Sequence, residues 1–224
     1  SEKVIYMPNC YMPFDNLRRI SSDPFHRSDF GLPEKSFVLA AFHRNHKITR
    51  KEMNSWSNIL NKIENSVIWI TTTNQIAKDN ILLFFQEKGI PKSRVIFAER
   101  TNTIEDHLAR HSCADVFVDT FTYNAHSTAI DSLWAGLPVV CVMGNNYQSR
   151  ASASYLTTLG LPSLVAKDIL DYEQKIIDFA NCPSKLRMIK SKLAELKTKN
   201  NLFDSSKITN QLETIYSQLI STIY

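Results

Sequence analysis

Residues 123–140 read YNAHSTAIDSLWAGLPVV and indicate a helix followed directly by a buried strand. The apolar residues between 127 and 135 recur at about 100° per residue, which places them on one side of a helix. PVVCVM at 138–143 is a short continuous apolar run, typical of strands that are covered on both faces. The stretch therefore predicts one helix–strand unit of an α/β fold.

The same alternation of strand and helix precedes this unit along the chain. The apolar runs suited to strands are FVLAAF (37–42), SVIWIT (66–71), RVIFAE (94–99) and DVFVDT (115–120). Between them the pattern predicts a helix that begins at Thr49, where Glu52 completes a capping box, and further helices over about 75–88 and about 103–111. The chain is therefore predicted to alternate strand and helix over most of its length.

Parallel strands joined by helical crossovers form a sheet that is covered on both sides. We accordingly predict a doubly wound parallel sheet in one α/β domain over residues 36–224, preceded by an extended lead-in segment over residues 1–35. After residue 143 we expect the chain to be wholly helical. The final helix, from about 205 to 223, carries an apolar stripe that is expected to dock on a neighbouring surface: Ile208, Leu212, Ile215, Leu219 and Ile223.

Composition excludes several classes of protein. The net charge is only +4, and the 26 Lys and Arg residues are scattered, so we expect no nucleic-acid partner. The four cysteines lie far apart without metal-ligand spacing, which indicates neither a metal site nor a disulfide framework and favours reduced thiols in the cytoplasm. No apolar run approaches the roughly 18 residues of a membrane span. The start SEKVIY, without an initiator methionine, is expected to mark a piece of a longer protein.

The entrance of the helix at 127 is unusually polar for a buried unit. In doubly wound sheets, ligands bind beyond the carboxyl ends of the strands, and helix N-termini there attract anions. Ser127, Thr128 and Asp131 fall on the side of the helix away from the apolar face, which we expect to be free. The hydroxyls then bind an anion and the carboxylate accepts hydrogen bonds from a ribose diol. Alternatively, they only cap the helix and complement its dipole.

Two further polar groups follow predicted strands. In TNTIEDHLARHS (101–112), His107 and Arg110 share a helix face, and a guanidinium can stack on a base. Lys47 lies in the loop after the first strand, where an ammonium can reach a phosphate. The alternative for each is an ordinary solvated side chain. No GxGxxG or Walker A sequence occurs, which disfavours dinucleotide oxidoreductases and P-loop NTPases.

Taken in order, these segments resemble the catalytic region of the O-linked N-acetylglucosamine transferases and their bacterial relatives, glycosyltransferase family 41. The similarity covers nearly the whole chain. It is carried by SEKVIYMPN, FHRNHKI, SVIWI, RVIFAE, HLARHSCADVFVDT, NAHSTAIDSLWAGLPVV and SRASASYL. The resemblance implies the Rossmann-like C-terminal lobe of a GT-B glycosyltransferase, which holds a nucleotide-sugar donor, usually UDP-N-acetylglucosamine.

The resemblance also assigns roles to individual residues. It implies that Lys47 acts in catalysis on the diphosphate, that Asp131 binds the ribose, and that Arg110 packs against uracil beside His107. Arg44 replaces a glutamine near the phosphates, and Ile104 replaces a lysine near the nucleoside. The full set of implied donor-binding residues is Arg44, Lys47, His107, Arg110, His126, Ser127, Thr128 and Asp131. The resemblance requires neither a metal nor a cofactor.

The expected function is therefore the donor-binding lobe of a cytoplasmic protein O-glycosyltransferase, inactive on its own. The protein acceptor would bind through an N-terminal lobe and tetratricopeptide repeats that this sequence lacks, and a homodimer is possible. The alternatives are a non-enzymatic α/β interaction module, a relative that uses UDP-glucose or GDP-fucose, and an unrelated epimerase of free nucleotide sugars.

Overall fold

A computed structural model describes residues 4–197 and 199–223, the last two of these by their backbone only. Within these residues, six strands form one sheet: β1 (Phe37–Ala41), β2 (Ser66–Thr71), β3 (Val95–Ala98), β4 (Val116–Val118), β5 (Val139–Val142) and β6 (Val165–Ala166). Eight α-helices accompany them in the described part of the chain: α1 (Arg50–Lys62), α2 (Gln75–Glu87), α3 (Ile104–Ala109), α4 (Ser127–Trp134), α5 (Ala151–Thr158), α6 (Ile169–Asn181), α7 (Pro183–Leu196) and α8 (Ser205–Ile223).

All five strand pairs are parallel, and the strand order is β3-β2-β1-β4-β5-β6. The predicted doubly wound α/β fold is therefore confirmed. Strands β1, β2 and β4 are almost completely buried because helices cover both faces of the sheet. The chain leaves β1 in one direction across the sheet and β4 in the other. Loops after these two strands consequently diverge at their carboxyl ends and leave a crevice between them.

One part of the prediction is wrong: the chain after residue 143 is not wholly helical. Val165 and Ala166 pair with Cys141 and Val142 and form the edge strand β6. Two residues are too few to produce a recognisable period, so this strand has no signature in the sequence.

The helix starts follow the predicted capping chemistry. The Thr49 side chain accepts a hydrogen bond within the first turn of α1, and the Glu52 carboxylate accepts one from the Thr49 amide, which completes the predicted capping box. Thr103 accepts a hydrogen bond from the Asp106 amide at the start of α3. Local sequence therefore determines where these helices begin.

The lead-in segment packs against the sheet domain. Cys10, Phe14 and Leu32 are buried in the core, and the Phe14 ring lies 5.0 Å from that of Trp134. This packing covers part of α4 and leaves Asp131 only 7% exposed, although the helical pattern places it on a free face. That expectation is wrong for Asp131 because its cover comes from a distant, non-periodic segment.

The apolar stripe of α8 docks at one end only. Ile208 is buried, Leu212 and Ile215 are partly buried, and Leu219 is exposed. The side chain of Ile223 lies outside the described residues. Across the described residues, no helix is both long and apolar enough to span a membrane, and no group of His, Cys, Asp and Glu is arranged to hold a metal ion.

Candidate functional site

A cleft of about 400 Å³ opens at the carboxyl edge of the sheet, between the loops that follow β1 and β4. Its walls come from the segments 42–47, 71–73 and 123–128. This is the point where the strand order reverses, and it is where doubly wound sheets bind their ligands. The fold therefore brings together Arg44, Lys47, His126, Ser127 and Thr128, five of the residues singled out in the sequence.

The amino end of α4 forms one wall of this cleft. His126 is the N-cap residue, and among the described side chains none accepts a hydrogen bond from the first turn. The backbone N–H groups of that turn therefore keep hydrogen-bonding capacity, and the hydroxyls of Ser127 and Thr128 stand beside them. Together with the helix dipole, this arrangement suits an anion.

Lys47 faces α4 from the loop after β1. Its Nζ donates a hydrogen bond to the Asn124 carbonyl at 2.8 Å and lies 3.9 Å from the centre of the Tyr123 ring. Burial lowers the pKa of Lys47, an effect that the nearby Asp119 carboxyl opposes. The exposed Arg44 lines the same cleft. Two cations and a helix N-terminus thus surround one space.

The His126 ring is held by aromatic neighbours. Its Nδ1 lies 3.2 Å from the Tyr11 hydroxyl, which lies 2.9 Å from the Tyr155 hydroxyl, and the Tyr123 ring packs edge-on against the imidazole. Burial lowers the pKa of His126 and so favours the neutral imidazole. His126 therefore offers a hydrogen bond rather than a charge.

Two buried carboxyl groups below the cleft went unrecognised as functional in the sequence. Asp119 accepts hydrogen bonds from the amides of Thr120 and Ala125 at 2.8 and 2.7 Å, and burial raises its pKa to about 7. The fully buried Glu52 accepts a hydrogen bond from the Phe121 amide at 2.9 Å. The available signal for Asp119 was an acidic residue directly after an apolar strand. For Glu52, the sequence pattern predicts only the capping box and gives no sign of the hydrogen bond to the Phe121 amide.

These two carboxyl groups fix the shape of the cleft. Asp119 closes the loop between β4 and α4 on itself, and Glu52 ties that loop to the start of α1. Since α1 directly follows the loop that carries Lys47, this hydrogen bond links the two walls of the cleft.

A second cleft, of about 420 Å³, adjoins the first and shares Thr71 and Thr72 with it. His107 and Arg110 line it. Arg110 is only 3% exposed: it donates to the Glu99 carbonyl at 2.6 Å, its guanidinium carbon lies 4.5 Å from the Phe42 ring centre, and burial lowers its pKa to about 10. Burial, assisted by the charges of Arg110 and Arg18, lowers the pKa of His107 to about 4. This cleft therefore has a rigid cation, Arg110, and a neutral imidazole, and the exposed Arg100 also lines it.

Asp131 lines neither cleft. It points from α4 toward the lead-in segment and forms an ion pair with Arg18. Burial raises the pKa of Asp131 to about 6, and the attraction of Arg18 offsets only part of that rise. Of the eight sequence-predicted residues, five thus share the first cleft, two share the second, and Asp131 lies on the side of α4 that faces the lead-in segment.

Comparisons with known proteins show which sequences and folds this chain is similar to. The chain is 29% identical to the probable UDP-N-acetylglucosamine–peptide N-acetylglucosaminyltransferase SEC of Arabidopsis thaliana, over 98% of this chain and 23% of that protein. It is 28% identical to the UDP-N-acetylglucosamine–peptide N-acetylglucosaminyltransferase of Caenorhabditis elegans, over 86% of this chain and 17% of that protein. The chain thus spans about a quarter or less of these relatives.

Solved structures share the fold. A mutant of the Thermobaculum terrenum O-GlcNAc transferase superposes with a TM-score of 0.83 at 21% identity, over 97% of this chain and 41% of that chain. The pneumococcal O-GlcNAc transferase GtfA, in complex with UDP and GlcNAc, superposes with a TM-score of 0.57 at 11% identity, over 93% and 38%. The model of the glycosyl transferase family 41 matches residues 23–212. As the sequence motifs predicted, the chain belongs to glycosyl transferase family 41.

Proposed function

We propose that this chain binds the nucleotide-sugar donor, UDP-N-acetylglucosamine, for transfer of the sugar to a protein. The observation that carries the proposal is the uncapped end of α4, which faces Lys47 and Arg44 across the first cleft. The names of the Arabidopsis and Caenorhabditis relatives support this donor. UDP-glucose and GDP-fucose are the alternative donors.

In the proposed reaction, the diphosphate of the donor is the leaving group. Negative charge grows on it as the bond to the sugar breaks, and positive groups that are already in position stabilise that charge. Lys47 and the first-turn amides of α4 fill this role, with Ser127, Thr128 and His126 as further hydrogen-bonding groups. These groups supply the positive charge that a metal ion provides in other phosphate sites. An anion beside Lys47 also favours the charged form of its amine.

The second cleft is proposed to take the nucleoside. Arg110 is fixed by the Glu99 carbonyl and by Phe42, so it presents a rigid edge to a base without having to be ordered on binding. We propose that the ribose reaches Asp131 from this cleft, because the lead-in segment that carries its partner Arg18 is also bonded to α3. The diphosphate then bridges the two adjoining clefts.

The acceptor and the group that takes its proton are proposed to lie in another part of the complete enzyme. His126 lines the first cleft beside the proposed diphosphate, and it is engaged with Tyr11. We therefore expect the 224-residue chain to bind UDP and to transfer no sugar, since catalysis requires all groups to be positioned together. We further propose that the enzyme works in the cytoplasm, where its free cysteines stay reduced.

Calorimetric titration with UDP, UDP-N-acetylglucosamine, UDP-glucose and GDP tests the proposal. We expect the uridine nucleotides to bind and GDP to bind more weakly. Absence of binding by any nucleotide would favour a non-enzymatic interaction module. Tighter binding of GDP would favour a different donor, and conversion of the free UDP-sugar by this chain alone would favour an epimerase.

A further inference from the structure

A segment of the lead-in crosses the groove between α3 and α4 and is held there at three points. Phe14 is buried against Trp134. The Trp134 indole Nε1 donates a hydrogen bond to the Arg18 carbonyl at 3.2 Å, and the Ser21 amide donates one to the Glu105 carbonyl at 3.2 Å. The backbone on either side of Arg18 is therefore fixed to both helices.

The Arg18 side chain reaches from this segment to the face of α4. Its Nη1 donates to Asp131 Oδ1, and one third of the side chain remains exposed. Its charge also acts on His107, which lines the second cleft. The guanidinium is thus paired with the carboxylate of α4, and the segment that carries it is also bonded to α3, whose His107 lines the cleft that is proposed to take the nucleoside.

The ion pair leaves hydrogen-bonding capacity on both partners. A guanidinium has five N–H donors, and the bond to Asp131 is the one that Arg18 makes within the described residues. Asp131 Oδ1 accepts that bond, and within the same residues Oδ2 has no hydrogen-bond partner. A hydroxyl is both donor and acceptor, so a diol can donate to the carboxylate and accept from the guanidinium at once.

We propose that Arg18 is a ligand of the donor ribose and forms with Asp131 a two-sided clamp on its hydroxyls. This inference rests on the proposed function, because it presumes that a nucleotide occupies the clefts. The clamp makes the lead-in segment part of the binding site rather than a mere cover of the domain.

The contacts of Arg18 favour a clamp over a gate that opens to admit the ligand. A gate would have to swing away, whereas the Arg18 backbone is tied to Trp134 and, through Ser21, to α3. Arg18 also keeps a carboxylate charged in a place where burial favours its neutral form. Removing the cation would therefore weaken the acceptor as well as the donor of the clamp.

The test is calorimetry on the 224-residue chain with three ligands: UDP, 2′-deoxy-UDP and inorganic pyrophosphate. In the wild type, loss of the 2′-hydroxyl should weaken binding several-fold. Arg18→Ala should weaken UDP about tenfold, 2′-deoxy-UDP by clearly less, and pyrophosphate not at all. Arg19→Ala is the matched control, because Arg19 is the adjacent, exposed arginine, and all three affinities should stay unchanged.

Thermal melting shows whether Arg18→Ala is folded. If it is not, Arg18→Gln and Arg18→Lys replace it in the same titrations. Both should retain part of the preference for UDP over 2′-deoxy-UDP. Tighter binding of UDP by Arg18→Ala would identify a gate and overturn the clamp. Equal weakening of UDP and 2′-deoxy-UDP, or no change in either, would also overturn it. If the wild type binds pyrophosphate and no nucleotide, the proposed function itself fails, and the clamp fails with it.

Discussion

Two aspartates bracket strand β4, and they differ in how completely their oxygens are paired. At the amino end, Asp115 Oδ2 accepts hydrogen bonds from the Val38 amide and from Arg27, both at 2.8 Å, while Oδ1 lies 3.9 Å from the Lys190 ammonium. At the carboxyl end, Asp119 Oδ1 accepts two amide hydrogen bonds, and Oδ2 is buried without a well-formed hydrogen bond among the described residues. The Ser152 hydroxyl, which donates to the Ala125 carbonyl, lies near enough to favour the charged carboxylate.

The difference between these two ends separates stability from binding. Charges at the amino edge of the sheet satisfy one another, so they contribute to the free energy of unfolding and have little capacity left for a ligand. At the carboxyl edge, Asp119, Lys47 and the first turn of α4 keep unused charge or hydrogen-bonding capacity. Polar groups left in that state within a folded protein indicate a place for a ligand.

The largest expected effect concerns the pH dependence of stability at Asp119. Its folded-state pKa is about 7, above the roughly 3.9 of an unfolded aspartate, so the folded state binds the proton more tightly. Stability should therefore fall as pH rises from about 4 to about 7, by on the order of 4 kcal/mol. Asp119→Asn should lack this contribution.

Urea denaturation of the wild type and of Asp119→Asn at several pH values between 4 and 8 measures this difference. Asp79→Asn, an exposed aspartate on α2, is the control and should follow the wild type. Parallel pH profiles for the wild type and Asp119→Asn would contradict the unpaired state of Asp119.

The second prediction concerns Asp115, the aspartate whose two carboxylate oxygens both have partners. Asp115→Ala leaves Arg27, Lys190 and the Val38 amide without their common acceptor, and the free energy of unfolding should fall by about 3 kcal/mol. The affinity for UDP should not change, since this edge is remote from both clefts. Asp178→Ala, which removes an exposed pair with Lys185, should cost less than about 1 kcal/mol. Similar losses for the two variants would remove the distinction between the edges.

A third prediction tests the tie between the two walls of the first cleft. Glu52→Gln replaces one acceptor oxygen with an amide donor that faces the Thr49 or Phe121 amide. We expect the variant to lose about 2 kcal/mol of stability and to bind UDP several-fold more weakly, as the loops separate. Glu87→Gln, exposed at the end of α2, should alter neither quantity. Unchanged UDP affinity in a destabilised Glu52→Gln would assign Glu52 to capping alone.

The sequence predicts the helices and strands better than it predicts which charged side chains pair with one another. Apolar runs and helical periodicity depend on neighbouring residues, so five strands, the core face of α4 and the capping box at Thr49 could all be predicted. Nothing local distinguishes Asp115 from Asp119, because the partners that saturate Asp115 lie 77 and 88 residues earlier in the chain.

The same limit applies to the candidate site. The loops of the first cleft follow strands, and topology alone brings Lys47 and His126 together. Arg18 could not be paired with Asp131, since 113 residues separate them and the lead-in has no period that would place it. The stacking of Arg110 on Phe42 was missed for a related reason: its partner is a core side chain that the pattern assigns to a strand.

The central claim is that Lys47, left with unused capacity at the carboxyl edge, binds the diphosphate. Calorimetry of Lys47→Ala with UDP and with uridine tests it most directly, with Lys51→Ala, an exposed lysine on α1, as the control. UDP should bind about 10- to 100-fold more weakly to Lys47→Ala, and uridine should bind as it does to the wild type. Loss of the hydrogen bond to the Asn124 carbonyl should cost about 1 kcal/mol of stability. Equal weakening of UDP and uridine, or a large loss of stability with UDP affinity intact, would show that Lys47 serves the fold and would contradict this account.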